Sequence, residues 1–200
     1  DNENQIYENE IMYITGIGPS RLQEYNSLSI FTIEQLKQAI RENKVKTTHH
    51  INIGIKYYYD FLKKIKRESI CKFEKQFAKL LHNVNPNLYY KFCGSYRRKC
   101  ELCGDIDIVI SHKTNENYFK QILHKLIQRK YIIDHLTHKF NKKYMGVLQL
   151  EHPCRIDIRY VNKEHFATTI LYFTGSKNFN LQMRKKAISL NYKLNEYTLH

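Results

Sequence analysis

Apolar residues recur at helical spacing through the first part of the chain. Gly16-Ile17-Gly18-Pro19-Ser20 predicts a tight turn, because glycine permits positive φ angles and Pro19 suits the first position of a helix. Thr32, followed three residues later by Gln35, has the form of a capping box and predicts another helix start. The pattern therefore predicts a polar segment at residues 1–10, either a frayed lead-in or the tail of a helix, and helices from Pro19, from Ile33, over 52–66 and over 68–84.

Near Tyr89 the apolar pattern changes from helical spacing to short alternating runs that are typical of strands. Strands are predicted over 88–93, 106–110, 132–136, 145–150 and 155–161, helices over 117–129, 163–171 and 177–190, and a strand or hairpin arm over 191–200. We therefore predict an α+β fold in three units: a helical unit over 1–85, a mixed-sheet unit over 86–162 and the start of a further helical unit over 163–200.

The chain is strongly basic, with 33 Lys and Arg residues against 19 Asp and Glu and a formal net charge of +14. A large unpaired basic face attracts polyanions, so nucleic acid is the first candidate partner and an anionic membrane surface the second. No apolar run reaches the roughly 18 residues of a membrane-spanning helix, and no short apolar signal opens the chain. We therefore predict a soluble protein.

The five cysteines are an odd number in a chain without a secretion signal, which favours a reducing, intracellular compartment over a disulfide framework. Only Cys100-x-x-Cys103 has the spacing of a metal or redox pair. A zinc site would need two more ligands at suitable spacing, and none follows. We interpret the pair as part of an ordinary loop.

The segment Asp105-Ile106-Asp107-Ile108 carries the strongest chemical signal. Residues two apart on a strand point to the same face, so Asp105 and Asp107 would project together. A later predicted strand repeats the pattern, with Asp157 between two arginines on one face. If the two strands are neighbours, the three carboxylates could hold two divalent cations roughly 4 Å apart, which suits phosphoryl or nucleotidyl transfer. The alternative is that the acids only form ion pairs with nearby arginines.

Gly94-Ser95 precedes these acids and suits a phosphate site. Glycine lets the backbone approach a phosphate closely, the serine hydroxyl can donate to it, and a short helix starting there would direct N–H groups to the same anion. The Gly16–Ser20 turn could bind a DNA backbone, because consecutive turn N–H groups favour phosphate oxygens and converging carbonyls suit a hard cation. An ordinary helix turn is the alternative there.

Several segments, in order, resemble the family X DNA polymerases, and the polymerase beta type in particular. They include Gly94-Ser95-Tyr96-Arg97-Arg98, Gly104-Asp105-Ile106-Asp107, Arg155-Ile156-Asp157-Ile158-Arg159 and Leu171-Tyr172-Phe173-Thr174-Gly175-Ser176. The similarity runs from about Gly16 to Tyr197. It implies a helix-hairpin-helix DNA-binding subdomain, a nucleotidyltransferase palm with a mixed sheet, and the start of a nucleotide-selecting helical subdomain.

The resemblance also implies roles for individual residues. Asp105, Asp107 and Asp157 would be catalytic and would bind two Mg²⁺ ions, which Mn²⁺ could replace. Nucleotide contacts would come from Lys64, Ser95, Arg98, Gly104, Asp105, Tyr172, Phe173, Gly175 and Asn180. DNA contacts would come from Gly16, Gly18, Ser20, Arg159 and Arg184, while the carbonyls of Met12, Ile14 and Ile17 would hold Na⁺ or K⁺ against a DNA phosphate.

The implied activity is DNA-directed DNA synthesis in short-gap repair, such as base excision repair. The protein would be a monomer that binds gapped or primer-template DNA and a deoxynucleotide, in the nucleus or wherever DNA is replicated and repaired. A template-independent nucleotidyltransferase and an inactive DNA-binding module are the alternatives. Two departures from polymerase beta add positive charge: Lys177 replaces an acid near the nucleotide, and Lys66 replaces a proline. We expect the chain to lack the preceding lyase domain and to carry an incomplete nucleotide-selecting subdomain.

Overall fold

A computed structural model of the chain describes residues 9–200. By its internal packing the chain divides into two units, the first ending at Leu62 and the second running from Lys63 to His200. The predicted lead-in at 1–10 falls largely outside the described residues, and Glu10 at its end begins a 3₁₀ helix, Glu10–Tyr13. The three-unit division with boundaries near 85 and 162 stays a prediction.

The first unit is built from short helices, α1 (Pro19–Ser27), α2 (Ile33–Arg41), α3 (His49–Lys56) and α4 (Tyr58–Leu62). The capping box is present, since the Thr32 hydroxyl accepts from the Gln35 N–H and the Gln35 side chain accepts from the Thr32 N–H. Ile11, Tyr25 and Leu36 are fully buried in the core that these helices share. Apolar burial therefore holds together helices that are individually too short to be stable in water.

The single helix predicted over 52–66 is wrong. The chain there forms α3 and α4, and it is extended at strand β1 (Ile65–Lys66). The reason is tertiary: β1 pairs antiparallel with a distant two-residue strand, β3 (Leu102–Cys103), and Ile65 lies opposite Cys103. Backbone pairing to a remote segment overrides the local helical spacing of the sequence.

The second unit contains a five-stranded mixed sheet in the order β2-β4-β7-β6-β5. Its strands are β2 (Leu88–Phe92), β4 (Ile106–His112), β5 (Ile132–His135), β6 (Lys143–Gln149) and β7 (Pro153–Tyr160). All five predicted strands are present, with small differences at their ends. Only β4 and β7 pair in parallel among these neighbours, and the other three pairs are antiparallel. The predicted α+β class with a mixed sheet is confirmed.

One face of the sheet carries the main core, to which α5 (Arg67–Val84) and α7 (Phe119–Gln128) contribute. Phe77 and Phe119 are fully buried there together with Ile106 and Ile156 of the two parallel strands. Because side chains alternate along a strand, the residues between these isoleucines face away from the core helices. That opposite face is where the acids lie.

Three further helices complete the second unit: α6 (Gly94–Arg97), α8 (Lys163–Thr174) and α9 (Lys177–Ser189). Phe166 and Phe173 of α8 pack against a small buried cluster that includes Val109 of β4. The strand or hairpin arm predicted after α9 is a short hairpin, in which an isolated bridge joins Leu194 to Leu199 and the His200 N–H donates to the Lys193 carbonyl at 3.1 Å. Within residues 9–200, no helix is long and apolar enough to cross a membrane.

Candidate active site

Two central strands of the sheet bring the three acids close together. β4 and β7 run in parallel with Asp107 directly opposite Asp157. Asp105 precedes the first residue of β4 and shares the face of Asp107, because the two are separated by one residue. Asp107 and Asp157 thus lie on neighbouring strands, on the face opposite the main core, and Asp105 lies directly before β4.

The Asp157 carboxylate is held by its strand neighbour Arg155. Arg155 Nη2 lies 3.2 Å from Asp157 Oδ2 and 3.4 Å from Oδ1, and the Asp157 side chain is only 15% exposed. Among residues 9–200, no group of three or more His, Cys, Asp or Glu side chains is already arranged to hold a metal ion.

Burial and mutual repulsion disfavour the charged forms of these acids. The pKa of Asp107 is raised to about 8, first by desolvation and then by the neighbouring charges of Asp105 and Asp157. Burial also raises the pKa of Asp157, while the positive charge of Arg155 acts in the opposite direction. A donor set made only of carboxylate oxygens suits a hard divalent cation, which would relieve the repulsion.

Gly94 lies directly against the Asp107 carboxylate. It has a φ of +57°, which disfavours side chains other than hydrogen, and a Cβ at this position would overlap Asp107 Oδ2. The N–H of Cys93 donates to the Asp107 carbonyl at 2.8 Å, which fixes the approach of the two segments. Glycine is therefore required here by the fold of the site itself, in addition to any approach of a phosphate.

A cleft of about 460 Å³ opens beside the acids, within the size range of small-molecule sites. Its lining comes from the start of α6, from Asp105 and Asp107 but not Asp157, and from the junction of α8 with α9. The lining residues are Gly94, Ser95, Arg98, Asp105, Asp107, Tyr172, Phe173, Gly175, Ser176, Lys177, Asn180, Leu181 and Arg184. Most of the predicted nucleotide-contact residues share this cleft, and Lys64 and Gly104 are outside its lining.

Lys64 and Gly104 are nevertheless close to one another. The Lys64 Nζ lies 3.7 Å from the position that a Cβ would take at Gly104. Pairing of β1 with β3 produces this proximity, because Lys64 directly precedes β1 and Gly104 directly follows β3. The Lys64 ammonium group thus lies beside the residue that directly precedes Asp105 in the chain.

Two arginines link α6 to the end of α8. Arg98 Nη1 donates to the Thr174 carbonyl at 2.6 Å, and Arg97 Nη1 donates to the Thr174 hydroxyl at 2.7 Å. The same hydroxyl donates to the Ile170 carbonyl at 2.6 Å. Sequence reasoning missed this role of Thr174, because no local pattern relates it to the arginines.

Two further arginines lie against aromatic rings of α8. The Arg159 Cζ lies 5.0 Å from the centroid of the Phe173 ring, and the Arg184 Cζ lies 5.2 Å from the Tyr172 ring. Asn180 Nδ2 donates to the Tyr172 carbonyl at 2.8 Å. Within the described residues, Nε of both arginines and Nη1 of Arg159 are buried without a hydrogen-bond partner.

Comparison with known proteins identifies the family. Residues 64–163 match the family described as DNA polymerase beta palm, and residues 169–200 match DNA polymerase beta thumb. The chain is 35% identical over 158 residues to DNA polymerase lambda of Rattus norvegicus, which covers 74% of this chain and 28% of that protein. The chain belongs to the family X DNA polymerases.

Two more distant relatives cover nearly all of this family X chain. It is 24% identical over 198 residues to DNA polymerase lambda of Arabidopsis thaliana, covering 92% of the chain and 36% of that protein. It is 25% identical over 204 residues to DNA polymerase/3'-5' exonuclease PolX of Bacillus subtilis, covering 94% of the chain and 34% of that protein. The chain therefore spans about a third of the length of these relatives.

The N-terminal turn of this family X chain contains two glycines in different situations. Gly16 has a φ of +96°, and a Cβ there would lie 2.9 Å from atoms of His50, whereas a Cβ at Gly18 would meet nothing within 4 Å. The Ile14 carbonyl accepts from the Ile17 N–H at 3.1 Å. Met12 is in the 3₁₀ helix and Ser20 is exposed in α1. The cation site and the DNA contacts assigned to these residues stay predictions.

Proposed function

We propose that this chain is the catalytic part of a DNA-directed DNA polymerase of the polymerase beta type, which adds deoxynucleotides to a primer 3′-hydroxyl in short-gap DNA repair. The observation that carries the proposal is the pairing of Asp107 with Asp157 across β4 and β7, with Asp105 one residue before β4. A cleft of about 460 Å³ beside these acids has room for a nucleotide. Membership of the family supports this use of the cleft over other phosphoryl transfers.

The acids would hold two Mg²⁺ ions, with Mn²⁺ able to take their place. The fit rests on three neighbouring carboxylates: burial, and then the charges of Asp105 and Asp157, raise the pKa of Asp107 to about 8, and a bound cation would offset that cost. When bound, the ions would neutralise charge on the transferring phosphate and favour ionisation of the primer hydroxyl. Proton acceptance and positioning of the substrates would depend on side chains of the protein.

Asp157 would accept the proton of the primer 3′-hydroxyl. Its burial raises its pKa, and a more basic carboxylate takes up a proton more readily. The 3.2 Å contact with Arg155 favours the ionised form in which Asp157 can act. Arg155 would thus orient the base before the substrates bind.

The cleft residues would place the nucleotide for in-line attack. Ser95 and Arg98, together with Lys64 beside Gly104, would bind the triphosphate. Tyr172 and Phe173 would pack against the sugar, and Gly175 would let it approach the backbone. Asn180 would leave the Tyr172 carbonyl to reach the edge of the base. Rate enhancement would then come from positioning and from fixed charge.

DNA would bind through both units of a monomeric chain. Arg159 and Arg184, which lie against the rings of Phe173 and Tyr172, would contact the nucleic acid, and the formal net charge of +14 would strengthen phosphate contacts. The Gly16–Ser20 turn would bind the DNA backbone, with Na⁺ or K⁺ on the carbonyls of Met12, Ile14 and Ile17. Free thiols at all five cysteines are compatible with a reducing compartment such as the nucleus, where DNA is repaired.

The decisive experiment is single-nucleotide insertion into a one-nucleotide gap, with and without Mg²⁺. Each of the four deoxynucleotides is offered opposite each template base, and Asp107→Asn serves as the inactive comparison. Insertion that needs Mg²⁺ and follows the template supports the proposal. Insertion that ignores the template base would indicate a template-independent nucleotidyltransferase, and binding of gapped DNA without insertion would indicate an inactive DNA-binding module.

A further inference from the structure

Two residues of α5, Arg67 and Glu74, contact Tyr96 at the centre of α6. The Tyr96 hydroxyl donates to Glu74 Oε2 at 2.7 Å. Arg67 Nη1 donates to the Tyr96 carbonyl at 2.6 Å, and the Arg67 Cζ lies 4.3 Å from the centroid of the Tyr96 ring. Arg67, Glu74 and Tyr96 are hereafter called the α6 clamp.

The clamp is anchored on both sides. The Tyr96 ring packs edge-on against the Phe92 ring of β2, with the ring centroids 5.8 Å apart. The backbone N–H of Arg67 donates to the Glu101 carbonyl at 2.9 Å, so the same residue holds both α6 and the segment that leads into β3. The clamp thus joins the N-terminal half of the 18-residue helix α5 to the four-residue α6.

The position of α6 matters because its residues reach the cleft. Ser95 precedes Tyr96 and Arg98 lies two residues after it, and both line the cleft, whereas none of the three clamp residues does. A helix of four residues has almost no stability of its own, so contacts with the rest of the chain must fix its place. A small shift of Tyr96 would displace the serine hydroxyl and the guanidinium together.

We propose that the α6 clamp is a set of positioning residues that sets Ser95 and Arg98 for the triphosphate of the incoming nucleotide. This inference rests on the proposed polymerase function. The clamp acts only through α6, so its loss should weaken nucleotide binding and leave the acids and the DNA contacts in place. A purely structural role predicts a different result, in which stability falls and nucleotide affinity in the folded protein does not change.

Tyr96→Phe tests the proposal with the least disturbance, because it removes one hydrogen bond and keeps the ring. Nucleotide affinity is measured on a gapped DNA with a dideoxy-terminated primer in the presence of Mg²⁺, so that no bond forms. We expect the Kd of the matched nucleotide to rise about 3- to 10-fold, less than the full contribution of a charge-assisted hydrogen bond, because the lost bond acts on the nucleotide only through α6. The Kd for DNA and, on an extendable primer, kcat should stay within about twofold.

Further variants separate the clamp from general stability. Glu74→Gln keeps an acceptor for the tyrosine hydroxyl and should retain most of the affinity, whereas Glu74→Ala should match Tyr96→Phe. The double variant Tyr96→Phe/Glu74→Ala should lose no more nucleotide affinity than either single variant, because both substitutions remove the same hydrogen bond. The matched control is Tyr131→Phe, since Tyr131 packs against Phe73 of α5 with ring centroids 5.3 Å apart and does not line the cleft.

Unchanged nucleotide affinity in Tyr96→Phe, with a wild-type chain that extends primers, would overturn the clamp and leave the polymerase proposal standing. The clamp also fails if Tyr131→Phe loses as much affinity as Tyr96→Phe. A wild-type chain that binds no nucleotide and extends no primer would overturn both proposals.

Discussion

The surroundings of Asp157 fit both roles that the sequence leaves as alternatives. It is bonded to Arg155, as an ion-pair partner would be, and it lies opposite Asp107, as a metal ligand would. Its side chain is only 15% exposed, so the pair is not a solvated surface contact. Removing one partner of a buried pair is generally more destabilising than breaking a surface pair.

Asp157→Asn distinguishes catalysis from structure. If Asp157 accepts the primer proton and binds metal, the variant should lower kcat by roughly 100-fold or more, while DNA and nucleotide still bind. The amide keeps the shape of the side chain and removes a charge that burial disfavours, so we expect stability to be retained despite the lost pair with Arg155. Single-turnover insertion and thermal melting measure the two effects separately.

The exposed acid Glu164, which bonds to Asn115 and Asn162, provides the control through Glu164→Gln. That variant should insert nucleotides at the wild-type rate. Near-normal insertion by Asp157→Asn would contradict the two-metal assignment, whatever happened to its melting temperature.

Lys177 lines the cleft at the first position of α9. Its positive charge should strengthen binding of a polyanionic nucleotide, so Lys177→Asp should raise KM by about 3- to 10-fold at low salt and by less at high salt, where exposed charges are screened. Steady-state insertion at two salt concentrations tests this. Lys185→Asp makes the same charge change on the same helix away from the cleft and should have a smaller effect, while an equal rise in KM for both variants would remove Lys177 from the pocket.

For individual residues, the sequence predicts which face of a strand a side chain lies on, but not which side chains it contacts. Two-residue spacing correctly places Asp157 and Arg155 on one strand face, yet it cannot show that the carboxylate turns to the arginine. The same limit applies to Gly94, whose contact with Asp107 depends on how β4 lies against the start of α6. Such contacts are set by tertiary packing, which a one-dimensional pattern does not contain.

Among the elements, the turn before α1 offers a clean test of DNA contact. Gly18 is the N-cap of α1, its φ is −90°, and the space around its Cβ position is open. Gly18→Val should therefore fold normally. If the turn contacts phosphates, the variant should weaken binding to duplexes of any sequence by about 3- to 10-fold, because a backbone contact carries no base information.

Gly16→Val is the contrasting variant in the same turn. Its φ of +96° and the crowding by His50 predict a loss of stability on the order of 1 to 3 kcal/mol. Fluorescence anisotropy on several duplexes and thermal melting would be measured for both variants. DNA affinity unaltered in Gly18→Val across a salt titration would exclude the turn from the interface.

Element boundaries were predictable where local signals agree. The Thr32 capping box and the isoleucine alternation of β4 and β7 each combine a spacing with a physical reason, and both are present. β1 and β3 escaped prediction because a two-residue strand has no period and exists only through its partner. As a result, the proximity of Lys64 to Gly104 could come only from the resemblance to the family and from the structure.

For the whole molecule, the raised pKa of Asp107 predicts an unusual dependence of stability on pH. With a folded-state pKa of about 8, the folded chain binds more protons at this group than the unfolded chain between about pH 4 and 8. The contribution of Asp107 to the free energy of unfolding should therefore fall as pH rises through that window, at up to about 1.4 kcal/mol per pH unit. The melting temperature in EDTA, measured from pH 5 to 8, tests the sign.

Mg²⁺ should oppose this trend, because it binds the ionised carboxylates and not the protonated ones. The stabilisation by Mg²⁺ should accordingly be larger at pH 8 than at pH 5. Asp107→Asn removes the titrating group and should flatten both effects, which separates them from titration of the histidines. A wild-type profile that parallels that of Asp107→Asn would show that Asp107 is ionised normally in the folded chain.

The parallel pairing of β4 with β7 also has a consequence for the order of folding. The residues from 113 to 152, which include α7, β5 and β6, separate the two strands in the chain, whereas β6 and β7 can pair as a local hairpin. Closing a long loop is slower than closing a hairpin, so we expect Asp107 to meet Asp157 late. Repulsion between the carboxylates opposes that last step, and a divalent cation present during refolding should speed it.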